Sequence, residues 1–223
     1  MRKISMAVAA FVASAVLAGC LPNGMLDPSH IVTLWYPVEV PKANDYAIVP
    51  GERIGLFYVG MTIKELKGLL GEPDRVDDYT RYGVGFDYTW RGLSKEFKLS
   101  GYPVLRATAV SSLEEAKVYS VVIFGIRNSA EFKSGDPRAI ALHKEVVRYR
   151  TADGFGVDSP IADIVKAYGP IANAEYKGRV SVFHRIGDRH LGFGFPSRSA
   201  DSVVDAVNVS NQGMLKYLLN QPR

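Results

Sequence analysis

Three kinds of side chain here could do chemistry: a lone thiol, four imidazoles and several adjacent carboxylates. The histidines are His30, His143, His184 and His190. His184 and His190 flank Gly187-Asp188, with Asp188 between them, a spacing that invites a metal ion across a hairpin. His184, however, shares strand parity with Val180, Val182 and Ile186, which reads as a packed side chain. No metal and no cofactor is therefore expected. The pairs Asp77-Asp78 and Glu114-Glu115 sit side by side, cannot converge from one helical face, and read as solvated turn residues. A Gly-x-Ser-x-Gly elbow, a Walker loop and a Gly-x-Gly-x-x-Gly fingerprint are all missing. The expectation is a protein that is not an enzyme. Turnover that depends on His184 or His190 is the alternative.

Aromatic residues offer binding chemistry instead. Phe86, Tyr88 and Trp90 share one strand face whose alternates are charged or small, so core is the preferred reading. Phe183 lies on the face of Arg179 and Arg185. An aromatic among arginines is the composition of interface hot spots, so Arg179, Phe183 and Arg185 are the expected protein-contact residues.

The thiol belongs to Cys20, the only cysteine, which rules out an internal disulfide. A cationic start at Arg2 and Lys3 precedes a small apolar run from Met6 to Ala18. That run is shorter than the roughly 20 residues needed to span a bilayer and reads as a secretory signal over residues 1–19. Its last four residues, Leu17-Ala18-Gly19-Cys20, resemble the lipobox of bacterial lipoproteins. The resemblance implies that Cys20 receives diacylglycerol and becomes the N-terminus, tethering the chain to a membrane. Leu21, where an aspartate would resemble an inner-membrane retention signal, implies the outer membrane and its periplasmic side. Lys and Arg total 27 against 23 acids, and removing Arg2 and Lys3 lowers the excess from +4 to +2. So small an imbalance argues against a nucleic-acid partner. The remaining 204 of 223 residues, in a chain that is 47% apolar, suffice for one or two modest cores.

The elements that position these groups fall into an ordered series. Residues 20–50 read as a lipidated tether interrupted by Pro37, Pro41 and Pro50. Thr62 and Glu65 form a capping box ahead of an apolar stripe of Ile63, Leu66, Leu69 and Leu70, which Gly71 and Pro73 end. Ser159 and Pro160 open a second stripe of Ile161, Ile164, Ala167 and Tyr168, ended by Gly169. A shift of 98 residues lays Ile63, Leu66, Leu70 and Gly71 on Ile161, Ile164, Tyr168 and Gly169. Three strands are expected after each helix: 82–90, 104–110 and 118–126, then 180–186, 190–195 and 203–209. The strand over 118–126 is apolar on both faces. A short helix from Asp136-Pro137 and a strand near 146–151 stand between the halves, and a docking helix closes the chain. The fold class is thus α+β, with two tandem helix-plus-antiparallel-sheet units: 51–128, and 129–210 including the linker, followed by 211–223.

Gly60-Met61-Thr62, the short helix, then Leu70-Gly71-Glu72-Pro73 and an aromatic strand resemble the outer-membrane lipoprotein family SmpA/OmlA, or BamE. The doubled arrangement is similar to the β-lactamase inhibitor protein. These resemblances imply a non-enzymatic lipoprotein that binds envelope proteins during outer-membrane assembly or stabilisation. The alternative they imply is a periplasmic inhibitor of a hydrolase.

Overall fold

Thr62 accepts a hydrogen bond from the Glu65 N–H at 3.2 Å, and the Glu65 carboxylate accepts from the Thr62 N–H at 2.7 Å, a complete capping box. The computed structural model describes residues 44–171 and 178–220, so Cys20, the expected signal and most of the 20–50 tether lie outside the described residues. The box opens α1 (Ile63–Leu70), which buries Ile63, Leu66 and Leu70, whereas Leu69 of the expected stripe turns outward. Before α1, strands β1 (Ile48–Val49), β2 (Arg53–Ile54) and β3 (Phe57–Tyr58) form a small antiparallel sheet.

After α1 come β4 (Arg75–Asp78), β5 (Phe86–Trp90), β6 (Leu105–Ala109) and β7 (Val118–Phe124). Helices α2 (Ala130–Lys133), α3 (Pro137–Val146) and α4 (Ile161–Tyr168) lead to β8 (Val180–Ile186), β9 (Arg189–Phe195), β10 (Ala206–Asn211) and α5 (Gln212–Leu219). All seven later strands join one antiparallel sheet in the order β4-β5-β6-β7-β10-β9-β8. The joint is the pairing of β7 with β10, from Ala206 opposite Phe124 to Ser210 opposite Ser120. β7 cannot end a sheet cheaply: its apolar edge would expose a long row of unpaired backbone groups.

The expectation of two tandem helix-plus-antiparallel-sheet units is therefore corrected. One seven-stranded sheet, with the small three-stranded sheet beside it, forms among the described residues, and one main core serves it. Leu66 of α1 and Ile164 of α4 are buried in that same core with Trp90, Leu105, Ile123, Val207, Phe193 and Val182. Each large apolar side chain buried there contributes on the order of 1.5–3 kcal/mol before ordering costs are counted.

Local departures have physical causes. Asp77 and Asp78, expected in a turn, pair in β4 at the sheet edge, where charges protect against stray strand addition. The strand expected near 146–151 is absent: α3 runs to Val146, and Arg150 makes only an isolated parallel bridge to Ala47. Ser159 does not cap α4. Its hydroxyl accepts from the Gly156 N–H at 3.0 Å and from Arg150 at 3.2 Å, while Pro160 occupies the N-cap.

Candidate functional site

Strand register sorts the sheet into two unlike faces. One cross-strand row reads Trp90, Leu105, Ile123, Val207, Phe193 and Val182, all buried beneath the helices. The outer face carries a row of Arg75, Thr89, Arg106, Val122, Asn208, Gly192 and Phe183. Beside it runs Asp77, Asp87, Thr108, Ser120, Ser210, His190 and Arg185. At about 4.8 Å per strand, each row crosses roughly 29 Å. The second row is graded: carboxylates at the β4 end, the buried hydroxyls of Thr108, Ser120 and Ser210 in the middle, and imidazole and guanidinium at the β8 end.

These groups are partly engaged with one another. The Thr108 hydroxyl donates to Asp87 at 2.7 Å and the Ser120 hydroxyl to the Asn208 side-chain oxygen at 3.0 Å. Burial and then the Arg185 charge hold His190 below the usual histidine range. Nearby, Tyr119 donates to the Val84 carbonyl at 2.5 Å, and burial followed by the Asp87 charge pushes its phenol up to about 12. Tyr119 packs with Val59 and with Met214 of α5 in a second, smaller cluster.

Phe183, Arg179 and Arg185 lie on this face at its β8 end. Phe183 is 56% exposed, and its ring covers Gly192: a Cβ there would meet the ring at 3.0 Å. Arg185 donates to the Gly187 carbonyl at 2.8 Å and Arg179 to Asp205 at 2.6 Å. Burial pushes the Asp205 carboxyl upward against the pull of Arg179, and its second oxygen has no hydrogen-bond partner among the described residues.

His143, His184 and His190 do not converge, and His30 lies outside the described residues. His184 pairs with Leu191 and its ring lies 5.2 Å from Tyr168 on the helix side, whereas His190 stands on the outer face. Among the described residues no three His, Cys, Asp or Glu side chains gather to hold a metal. His143 instead meets Asp158 at 2.9 Å, and Arg127 meets the same oxygen at 2.8 Å. The Nδ1 atom of His143 is buried and has no hydrogen-bond partner among the described residues, so none of their hydroxyls is joined to it.

At the β4 end the face deepens into a groove of about 440 Å³ lined by Asp74, Arg75, Asp77, Tyr79, Thr89, Arg91, Gly101, Pro103, Arg106 and Phe124. The 91–103 loop forms one wall and is pinned. Asp74 accepts from the Arg91 N–H at 2.8 Å and from Lys98 at 3.2 Å, and Ser100 N–H donates to Glu131 at 2.5 Å. Burial opposes the Asp74 charge, but these donors outweigh it and hold the carboxyl below its usual range. Arg106 lies over the Phe124 ring, 5.3 Å from its centroid. The groove was not anticipated from the sequence. The sequence does mark the long 91–103 connection as a place where function is added, and a second signal is Arg106, a charge interrupting the apolar strand at outer-face parity.

No protein-family model matches the chain, and no curated protein matches it. Solved structures that align with it include an extracellular protein containing an SCP domain from Bacillus anthracis. That alignment has 11% identity and a TM-score of 0.40, covering 71% of this chain and 46% of that one. A cysteine-rich secretory protein from Staphylococcus aureus aligns at 16% identity with a TM-score of 0.38, covering 74% of this chain and 47% of that one. The chain spans about half the length of these proteins, and alignments at such TM-scores carry no inference about activity. Neither is an SmpA/OmlA protein or a β-lactamase inhibitor protein. The resemblance to those families is corrected: no family model matches the chain, and its two halves share one seven-stranded sheet instead of forming two units. With it go the expected role in outer-membrane assembly and the alternative role as a hydrolase inhibitor.

Proposed function

We propose that this chain is a non-enzymatic recognition domain that receives its ligand on the outer face of the seven-stranded sheet. In this reading, acylated Cys20 anchors it to the outer membrane on the periplasmic side. The carrying observation is the pair of polar rows from Arg75 to Phe183 and from Asp77 to Arg185, whose ends on β4 and β8 reach solvent while Val122, Thr108, Ser120 and Ser210 between them are buried. A face held by a hydrogen-bonded ladder is preformed, which lowers the ordering cost of binding. A lipid tether raises the effective concentration of the domain at a membrane-bound ligand. The separation of His184 from His190, and the commitment of His143 to Asp158, favour binding over turnover.

The test is site-specific photocrosslinking in intact cells from Phe183 and Thr89 on the outer face, with exposed Lys64 on α1 as control. Adducts from the first two positions and none from Lys64 support the reading. Equal adducts at all three, or none anywhere, would sink it. Mass spectrometry of the cellular protein checks the anchor: an unacylated Cys20 removes that half of the proposal.

A further inference from the structure

We propose that the groove between β4, the 91–103 loop and the ends of β6 and β7 is a carboxylate-binding subsite, with Arg106 meeting the ligand. This rests on the outer-face reading and deepens it by naming the ligand chemistry. The groove, at about 440 Å³, has the size of small-ligand sites, which run from about 300 to 1,000 Å³.

Three guanidinium groups reach this groove, but they are not equally free. Arg75 is bound to Asp77 through Nε at 2.8 Å and a terminal nitrogen at 2.7 Å. Arg91 is shared between Asp74 at 3.3 Å and the Ser100 carbonyl. Arg106 makes no hydrogen bond among the described residues: it forms only a long ion pair, 3.6 Å, with Asp87 Oδ2, while Thr108 donates to Asp87 Oδ1. Its hydrogen-bond donors are therefore not committed at bonding distance, and the guanidinium rests over the Phe124 ring in the groove. A planar carboxylate is the acceptor that a guanidinium fork matches bidentately.

Charge selects the valence of the ligand. Arg75, Arg91 and Arg106 in the lining and Lys98 on Asp74 stand against Asp74, Asp77 and Asp87, four minus three, or a net +1. One carboxylate neutralises that, whereas a dianionic phosphate would overshoot it next to Asp87. Phe124, Pro103 and Gly101 supply an apolar wall for the body that carries the acid, and the Thr89 hydroxyl and Tyr79 phenol offer further donors.

The experiment is calorimetric titration of the full chain in detergent micelles. The probes are N-acetyl-phenylalanine, its amide, phenyl phosphate, and a C-terminally amidated peptide bearing one glutamate. The acid is expected to bind at about millimolar affinity or better, and the amide at least tenfold more weakly. Binding of N-acetyl-phenylalanine but not the glutamate peptide assigns the source to a terminal or free carboxylate; the reverse assigns it to an acidic side chain. Arg106→Gln is expected to lower the affinity for the acid at least tenfold with an unchanged circular dichroism spectrum. Phe124→Leu, which keeps apolar bulk, is expected to lower it severalfold and serves if the Gln variant misfolds. Measurable but equal binding of acid and amide, binding of neither the acid nor the glutamate peptide, tighter binding of phenyl phosphate, or indifference to both substitutions would overturn the subsite. If crosslinks from Phe183 persist while these titrations fail, the subsite falls and the outer-face reading stands.

Discussion

His143 Nε2 lies 2.9 Å from Asp158 Oδ2, and Arg127 closes on the same oxygen at 2.8 Å. One carboxylate thus ties α3, the segment after β7 and the lead into α4. Asp158 holds this place at φ 70°, with its N–H donating to the Val204 carbonyl at 2.9 Å. Burial opposes its charge, but the His143 hydrogen bond and the Arg127 charge outweigh burial and lower its pKa. A depressed acid contributes stability that is present above its ordinary value of 3.8 and is lost as pH falls through the folded value. Asp158→Asn should cost about 2–4 kcal/mol at pH 7, with the deficit shrinking below the carboxylate range. Asp158→Ala should cost more, because asparagine tolerates the left-handed backbone and alanine does not. Urea unfolding of both variants between pH 3 and pH 7 checks the order.

Asp205 carries the opposite sign. Burial raises its pKa above the ordinary 3.8, so the stability linked to it is present below that value and is lost as pH rises through the folded one. Asp205→Asn lacks this loss and should gain on the wild type as pH climbs from about 4 to 7. The same urea series reads it. A gap that does not change with pH would mean that Arg179, 2.6 Å away, fully compensates the burial.

The buried indole of Trp90 donates to the Gly71 carbonyl at 2.9 Å, joining β5 to the end of α1. Trp90→Phe removes the donor and leaves both a gap and an unmatched carbonyl. A loss of about 1–3 kcal/mol is expected, measured as a lower urea midpoint with an unchanged slope.

These sites differ in how far the sequence revealed them. The capping box of Thr62 and Glu65, the Gly-Pro stop after Leu70 and the two-residue turn at Gly187-Asp188 depend on neighbours in the chain, and each could be read locally. The parity that put Phe183, Arg179 and Arg185 on one face is equally local. What escaped was long-range. Ser120 pairs with Ser210, and no feature of either strand announces the other, so the union of both halves into one sheet was invisible. Asp77 and Asp78 looked like a turn because aspartate is depleted in strands, a preference that edges relax. The groove needed Arg106, Phe124 and the 91–103 loop together, and only folding brings them together.

Phe183 provides the sharpest separation of packing from recognition. Its ring covers Gly192, and a Cβ added there would sit 3.0 Å from the ring edge, so Gly192→Ala must displace it. In a Phe183→Ala background that obstacle is gone. Gly192→Ala should then stabilise by about 0.5–1 kcal/mol, because glycine is the poorer strand residue. The double-mutant cycle should therefore show a coupling of about 0.5–1.5 kcal/mol between the two positions. Phe183→Ala alone should cost less than about 1 kcal/mol, since the ring is more than half exposed and gives up only a cross-strand contact. Crosslinking from Thr89 measures the other role. A ligand that spans the face loses its β8-end contact with Phe183 and yields fewer adducts at Thr89 at unchanged stability. Undiminished adducts would confine the ligand to the groove end and leave Phe183 as a cover for Gly192 alone.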